Sequence, residues 1–380
     1  MSSFLLIISL FLFQSTDPSI ESDIPRLTES HIEEATTYFN IIDSRFEGTE
    51  PLTSAIEDAH YVALGELHNR VRLGELTQTL LNHLEPHGYS HFAIETGPYS
   101  ARKLEQLIQS GKPAVSEFYD EYSSWLFDLV PIPFFTGESD LDILAAADSL
   151  GYELWGLDQE FAFSYTYLVD EFAHLAGNSL SDDQEKLRRK LTSRLYWLNR
   201  RKRIFSGFER NCRLKNDEQL QEYLRSFEES NHPDISELLD SFRTTLEIYC
   251  LAEQGKASSR VRIRYFKENF NRNYVDARAE NPEPKVFVKM GSFHAGRQQS
   301  PLGLNDIGNH IHQLADTLAQ QSVHIRYLNR FYKGDDMLEE KGWESSAKFI
   351  SFGRQDEMRE IINYDFIIIP PEDDVVKKHF

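Results

Sequence analysis

Five short apolar runs, each closed or soon followed by residues able to do chemistry, constrain this chain more than any other feature. Tyr61-Val62-Ala63-Leu64 leads into Gly65-Glu66-Leu67-His68, and His91-Phe92-Ala93-Ile94 leads into Glu95. Glu153-Leu154-Trp155-Gly156-Leu157 leads into Asp158, and Lys285-Val286-Phe287-Val288-Lys289-Met290 into Gly291-Ser292-Phe293-His294. The fifth, Phe366-Ile367-Ile368-Ile369, leads into Pro370-Pro371-Glu372-Asp373. Buried parallel strands read as short continuous apolar runs, and an open α/β sheet binds its ligand outside the carboxyl ends of its strands. The expectation is a single crevice faced by all five tails.

Between the first two runs, Leu73, Leu76, Leu80 and Leu84 recur at helical spacing and stop near Pro86-His87-Gly88. That stripe predicts an amphipathic helix. Strand, helix, strand at this length is a βαβ unit, which makes a parallel sheet. Further helices are predicted from about Ser100 and over Leu141 to Leu150, and a lead-in helix within the polar, acidic residues 21–50. From about Phe161 to Asp276 strand signals give way to long helical stripes such as Leu187, Leu191, Leu195 and Leu198. Sheet pattern resumes at Lys285, with later strands near His324 to Tyr327 and Tyr364 to Ile369. The predicted fold is an α/β protein whose mainly parallel sheet is flanked by helices, with an all-helical insertion between two halves of the sheet. Its parts are a secretory leader at 1–20, the first half of the α/β core at 21–160, the helical insertion at 161–276 and the second half at 277–380.

Charge and cysteine usage narrow the function. A formal net charge of −21 repels polyanions, so nucleic acid is not an expected partner. Within this acidic chain, Lys186 to Lys215 holds twelve Lys or Arg against one acid. Such a stretch is either a solvated face pairing with acids elsewhere or a surface for an anionic ligand. The apolar run Phe4 to Phe13 is too short to span about 30 Å of hydrocarbon but suits a secretory leader, although no Lys or Arg precedes it. Export, with no stable membrane span once the leader is removed, is the expected localisation. Cys212 and Cys250 then form one disulfide or remain two buried thiols.

The chemistry is expected at the strand ends. Glu66 and His68, two apart in extended chain, project the same way, and form either an acid–base pair or two metal ligands. Glu95 ends an apolar strand, where a carboxylate needs a partner. Asp158 has the same setting, or caps the next helix. His294 lies in a small-residue turn where it can act as a general base. No Gly-x-Ser-x-Gly elbow, Walker motif, dinucleotide fingerprint or Cys/His zinc cluster occurs. What remains is water deprotonated by a carboxylate or imidazole, with or without a metal. Trp125-Leu126-Phe127 and Pro131-Ile132-Pro133-Phe134-Phe135 either wall an apolar pocket or tuck over the core.

The order of these motifs resembles the erythromycin esterase-like family, within the broader group that includes the Tiki proteases and ChaN-type haem-uptake proteins. The matching pieces are Leu64 to His68, the strand ending in Glu95, Trp155-Gly156-Leu157-Asp158, Arg264-Tyr265-Phe266-Lys267-Glu268-Asn269, the strand ending in His294, and Tyr364-Asp365 with its apolar tail. The resemblance implies an α/β core and, for the esterases, hydrolysis by activated water without a covalent enzyme intermediate; the expected substrate is a small molecule, and no cofactor is expected. It places Glu66, His68, Glu95 and His294 in the catalytic cluster, and Arg264 beside substrate or carboxylate, with Asp158 near it. The Tiki branch implies instead a divalent metal on Glu66, His68, Glu95 and His294. The ChaN branch implies haem or another large apolar ligand near Trp125 to Phe135.

Overall fold

The computed structural model describes residues 33–123, 129–204, 209–328, 346–353 and 363–371. Among these, nine strands form one sheet: β1 (Thr36–Ile42), β2 (Arg45–Glu47), β3 (Tyr61–Glu66), β4 (Tyr89–Ile94), β5 (Glu153–Gly156), β6 (Lys285–Gly291), β7 (Ser322–Tyr327), β8 (Phe349–Gly353) and β9 (Phe366–Ile369). Their order is β2-β1-β8-β9-β7-β3-β6-β4-β5. The six strands from β9 to β5 are parallel, whereas β8, β1 and β2 add antiparallel pairs at one edge.

The central strands are largely apolar because both faces are covered, with Glu66 and Lys289 among the exceptions. Val62 and Leu64 of β3, with Phe287 of β6, join a core under the helices Val71–Leu84, Pro98–Gln109 and Glu138–Ser149. The alternating residues Tyr61, Ala63, Val286, Val288 and Met290 pack beneath Ser258–Glu280 and Ile307–Thr317. The leucine stripe from Leu73 to Leu84 lies on the buried face of its helix, which ends in a short 3-10 turn closed by Gly88 at φ +87°. All described elements between β5 and β6 are helical. The two sequence halves nevertheless interleave, since β6 enters the sheet between β3 and β4.

Two expectations need correction, and one strand was not anticipated. Residues 36–47 form a hairpin rather than part of a lead-in helix. Its two-residue turn, Asp43-Ser44, takes positive φ at both positions, and the β-branched and aromatic run Thr36 to Phe39 suits a strand. Strand β8, which lies inside the sheet between β1 and β9, carries no expectation, its apolar run Phe349 to Phe352 being short. Finally, β9 is separated from β3 by β7, so its carboxyl end at Ile369 lies two strands away from that of β3. Glu372 and Asp373, the expected leader at 1–20 and Trp125-Leu126-Phe127 lie outside the described residues. No helix among the described residues is long and apolar enough to cross a membrane.

Five of the twelve cations of the basic stretch form ion pairs among the described residues. Arg188 bonds Asp170 and Glu185, Arg189 bonds Glu185, Arg194 meets Asp217, Lys202 meets Glu253, and Lys215 meets Glu247. Its last part also carries Cys212, disulfide-bonded to Cys250 across 38 residues, which ties the short helix Arg210–Lys215 to Pro233–Glu253. Cross-linking a loop of this length restricts the unfolded chain by an amount equivalent to about 4 kcal/mol. Replacing either cysteine by serine is expected to lower the midpoint of thermal unfolding clearly. A midpoint equal to that of the oxidised wild type would show that helix packing alone sets the stability of this layer.

Candidate active site

Four neighbouring strands, β3, β6, β4 and β5, deliver their carboxyl ends to one rim. Backbone bonds extend the sheet past those ends: Ser292 N–H donates to the Glu66 carbonyl and Asp158 N–H to that of Thr96, each at 2.9 Å. The side chains of Glu66, Glu95 and Asp158 are thereby held close together, all nearly fully buried.

Two imidazoles flank Glu95, each held from behind by its own carboxylate. His68 Nδ1 lies 2.8 Å from Glu66 Oε1, and its Nε2 lies 3.6 Å from Glu95 Oε2. His294 Nδ1 lies 2.8 Å from Asp306 Oδ2, and its Nε2 lies 3.9 Å from Glu95 Oε1. Asp306 is itself fixed as the N-cap of Ile307–Thr317, its other oxygen accepting Ile307 N–H at 2.8 Å. Glu95 also accepts Gly291 N–H at 2.6 Å. A Cβ on Gly291 would lie 3.2 Å from both Glu95 Oε2 and His68 Nε2, so glycine keeps this floor open.

Two cations complete the cluster. Lys289, in register with Leu64, projects to the same sheet face as Glu66 and pairs with its Oε2. Arg262, from the helix Ser258–Glu280, donates to Asp158 Oδ1 at 2.9 Å and to Glu95 Oε1 at 2.9 Å, with a further bond to Asp158 Oδ2. Four carboxylates, Glu66, Glu95, Asp158 and Asp306, thus face two cations, and the deficit of positive charge falls on the histidines. Burial by itself lowers an imidazole, yet Glu66 and Glu95 raise His68 above its ordinary value, and Asp306 and Glu95 raise His294. Burial opposes ionisation of Glu66, but Lys289 and His68 outweigh it and bring the carboxyl down to about 2. Glu95 is likewise lowered against its burial, by His68, His294, Arg262 and the Gly291 N–H. Asp158 goes the other way, because burial outweighs Arg262 there.

Beneath this rim lies a further carboxylate, Glu160, fully buried. It accepts the N–H groups of Tyr99 and Ser100 at 2.9 and 3.3 Å and the Ser241 hydroxyl at 3.0 Å, so it caps Pro98–Gln109 where Gly97 has no side chain to do so. The described part of the aromatic segment roofs the site: the Phe134 ring stacks on His68 at 3.9 Å and 16°, from a backbone at φ +68° that is uncommon for a bulky residue.

The structure brings Glu66, His68, Glu95, Asp158 and His294 together. It excludes Arg264, whose side chain is 68% exposed and lies 3.6 Å from Glu268. The reason is helical phase. Arg262, Phe266, Asn269 and Phe270 share the inward face, where Asn269 bonds the Leu157 carbonyl at 2.9 Å, and Arg264 points away from it. Lys289 and Asp306 were also missed. A lysine inside an otherwise apolar buried strand and an Asp just before a helical stripe are the signals that mark them.

No protein-family model matches the chain, and no curated protein matches it in sequence. Solved structures do match its fold. A histidine-to-asparagine mutant of erythromycin esterase EreC in its open conformation superposes with a TM-score of 0.53 at 15% identity, covering 86% of this chain and 94% of its own. A succinoglycan biosynthesis protein gives 0.51 at 13% identity, covering 90% and 96%. A protein from Bacillus cereus gives 0.51 at 13%, covering 87% and 93%. At these identities the likeness is one of fold.

The two arginines give a direct contrast. Arg262→Met leaves Asp158 and Glu95 buried without their cation and is expected to cost about 3–5 kcal/mol in denaturant unfolding. Arg264→Met should stay within about 0.5 kcal/mol of wild type. Equal losses for the two would contradict the placement.

Proposed function

We propose that this chain, which has the fold of erythromycin esterase, hydrolyses an ester or related acyl bond of a small molecule with water activated by histidine. The observation that carries this reading is the pair of carboxylate-held imidazoles aimed at the two oxygens of Glu95. The 3.9 Å between His294 Nε2 and Glu95 Oε1 is too long for a direct hydrogen bond and suits one bridging water. His294, oriented by Asp306, takes a proton from that water as its oxygen attacks the acyl carbon. Arg262 offsets charge developing on the carbonyl oxygen. As the tetrahedral species collapses and the bond to the leaving oxygen breaks, His68 delivers the proton that the leaving group needs. Held at about 2, Glu66 is too weak a base for the first step and serves to orient and charge His68.

This reading is metal-free. Glu66, His68 and Glu95 each bring a ligand atom within 4.8 Å of the others, a spacing that a divalent ion can bridge. Their carboxylates, however, already hold the Lys289 ammonium, the Arg262 guanidinium and a backbone N–H, and a dication placed among them would meet two cations. Export accords with the Cys212–Cys250 bond, since disulfides persist in oxidising compartments.

In an ester and lactone panel, His294→Ala and His68→Ala are each expected to lose about 10²–10⁴-fold in kcat. A His294→Ala enzyme as active as wild type would sink the assignment. The pH profile supplies a second check. Both histidines are raised, so the protonated form persists past the ordinary 6.5 and the base form appears only at higher pH. The acid limb of kcat/KM should therefore fall above pH 6.5, and incubation with a chelator should leave the rate unchanged.

A further inference from the structure

We propose that Glu57, His83 and His87 form a structural metal site for a divalent transition ion of the zinc, nickel or copper class, on the rim of the sheet opposite the active site. Glu57 lies in the last turn of Glu50–Asp58, His83 in the last turn of Val71–Leu84 and His87 at the end of the 3-10 turn that follows. The helix Val71–Leu84 leaves the carboxyl end of β3 and runs back toward the start of β4. All three residues therefore sit near the amino ends of the strands, away from Glu95 and His294.

Across the junction between the α-helix and the 3-10 turn the two imidazoles come together, their ring centroids 5.5 Å apart. His83 Nε2 is 3.0 Å from Glu57 Oε1 and His87 Nε2 is 3.9 Å from the same oxygen, and the three ligand atoms lie within 4.8 Å of one another. The two carboxylate-to-imidazole distances bracket the ~3.4 Å between ligands around a tetrahedral ion with bonds of about 2.1 Å. Small side-chain rotations therefore complete the site. Two imidazoles and one carboxylate suit zinc, nickel or copper rather than magnesium or calcium, and three protein ligands leave a position for water. Side-chain exposures of 23% for His83 and 36% for Glu57 and His87 leave a route for the ion to enter.

The surroundings prepare the ligands. Phe46 backs the His83 ring edge-on at 5.6 Å, giving it an apolar wall. Lys285 Nζ bonds the Glu57 carbonyl at 3.2 Å, which leaves the carboxylate to the imidazoles. A metal here would tie the helix before β3 to the helix after it.

The test is calorimetric titration of the untagged, full-length chain with Zn²⁺ and separately with Ni²⁺ at pH 7.5. Wild type should bind one ion, with a rise in Tm of about 3 °C at a hundredfold excess over Kd. Glu57→Gln and His87→Gln, both half-exposed and expected to fold, should each weaken binding at least tenfold. His68→Asn, which breaks the active-site cluster instead, should bind as wild type does. Absence of binding to wild type, unchanged binding in both Gln variants, or loss of the ion in His68→Asn would each overturn the proposal.

Discussion

Every other feature of the rim is arranged around the ionised Glu95 carboxylate. It is buried at the end of a central parallel strand, where an isolated charge is prohibitive. One oxygen takes the Gly291 N–H and the other takes Arg262, and an imidazole faces each. Such a charge survives only if its partners are rigid. Rigidity comes from β6, which places Gly291 beside it, and from the long helix Ser258–Glu280, whose inward face carries Arg262.

The same charge sets the state of the histidines. With Lys289 committed to Glu66 and Arg262 shared between Asp158 and Glu95, the remaining negative charge attracts protons to His68 and His294. Each ring is also pinned through Nδ1 by its own carboxylate, which fixes the tautomer and turns Nε2 toward Glu95. Both rings therefore favour their protonated form, and each presents Nε2 to one oxygen of Glu95.

Residues at strand ends were legible in the sequence because burial makes a polar side chain there conspicuous: Glu66, His68, Glu95, Asp158 and His294 all stand directly after apolar runs. Their partners were not. Arg262 lies in a helix with several arginines, and only the phase set by Phe266, Asn269 and Phe270 separates it from Arg264, the residue that the resemblance to the esterase-like family suggested. Lys289 sat inside a run read as apolar, and its role depends on the register that pairs it with Leu64 and points it at Glu66. The parallel sheet was readable from local pattern, whereas the insertion of β6 between β3 and β4 and the antiparallel edge with its hairpin depend on long-range pairing that no local pattern encodes.

The helical insertion is joined to the sheet at the candidate site. It leaves after Asp158 and returns through Ser258–Glu280, whose Arg262 grips Asp158 across 104 residues of chain while Asn269 bonds the adjacent Leu157 carbonyl. The two ends of the insertion are thus clipped at the active-site rim, and Glu160, two residues beyond Asp158, carries the connection inward to Pro98–Gln109 and to Ser241. Arg262 can neutralise Glu95 only while that helix keeps its place. Packing of the helical layer and ionisation of the carboxylate cluster are therefore one equilibrium: whatever loosens the layer leaves a carboxylate at the strand end without its cation, and the cost of that bare charge pulls the layer back.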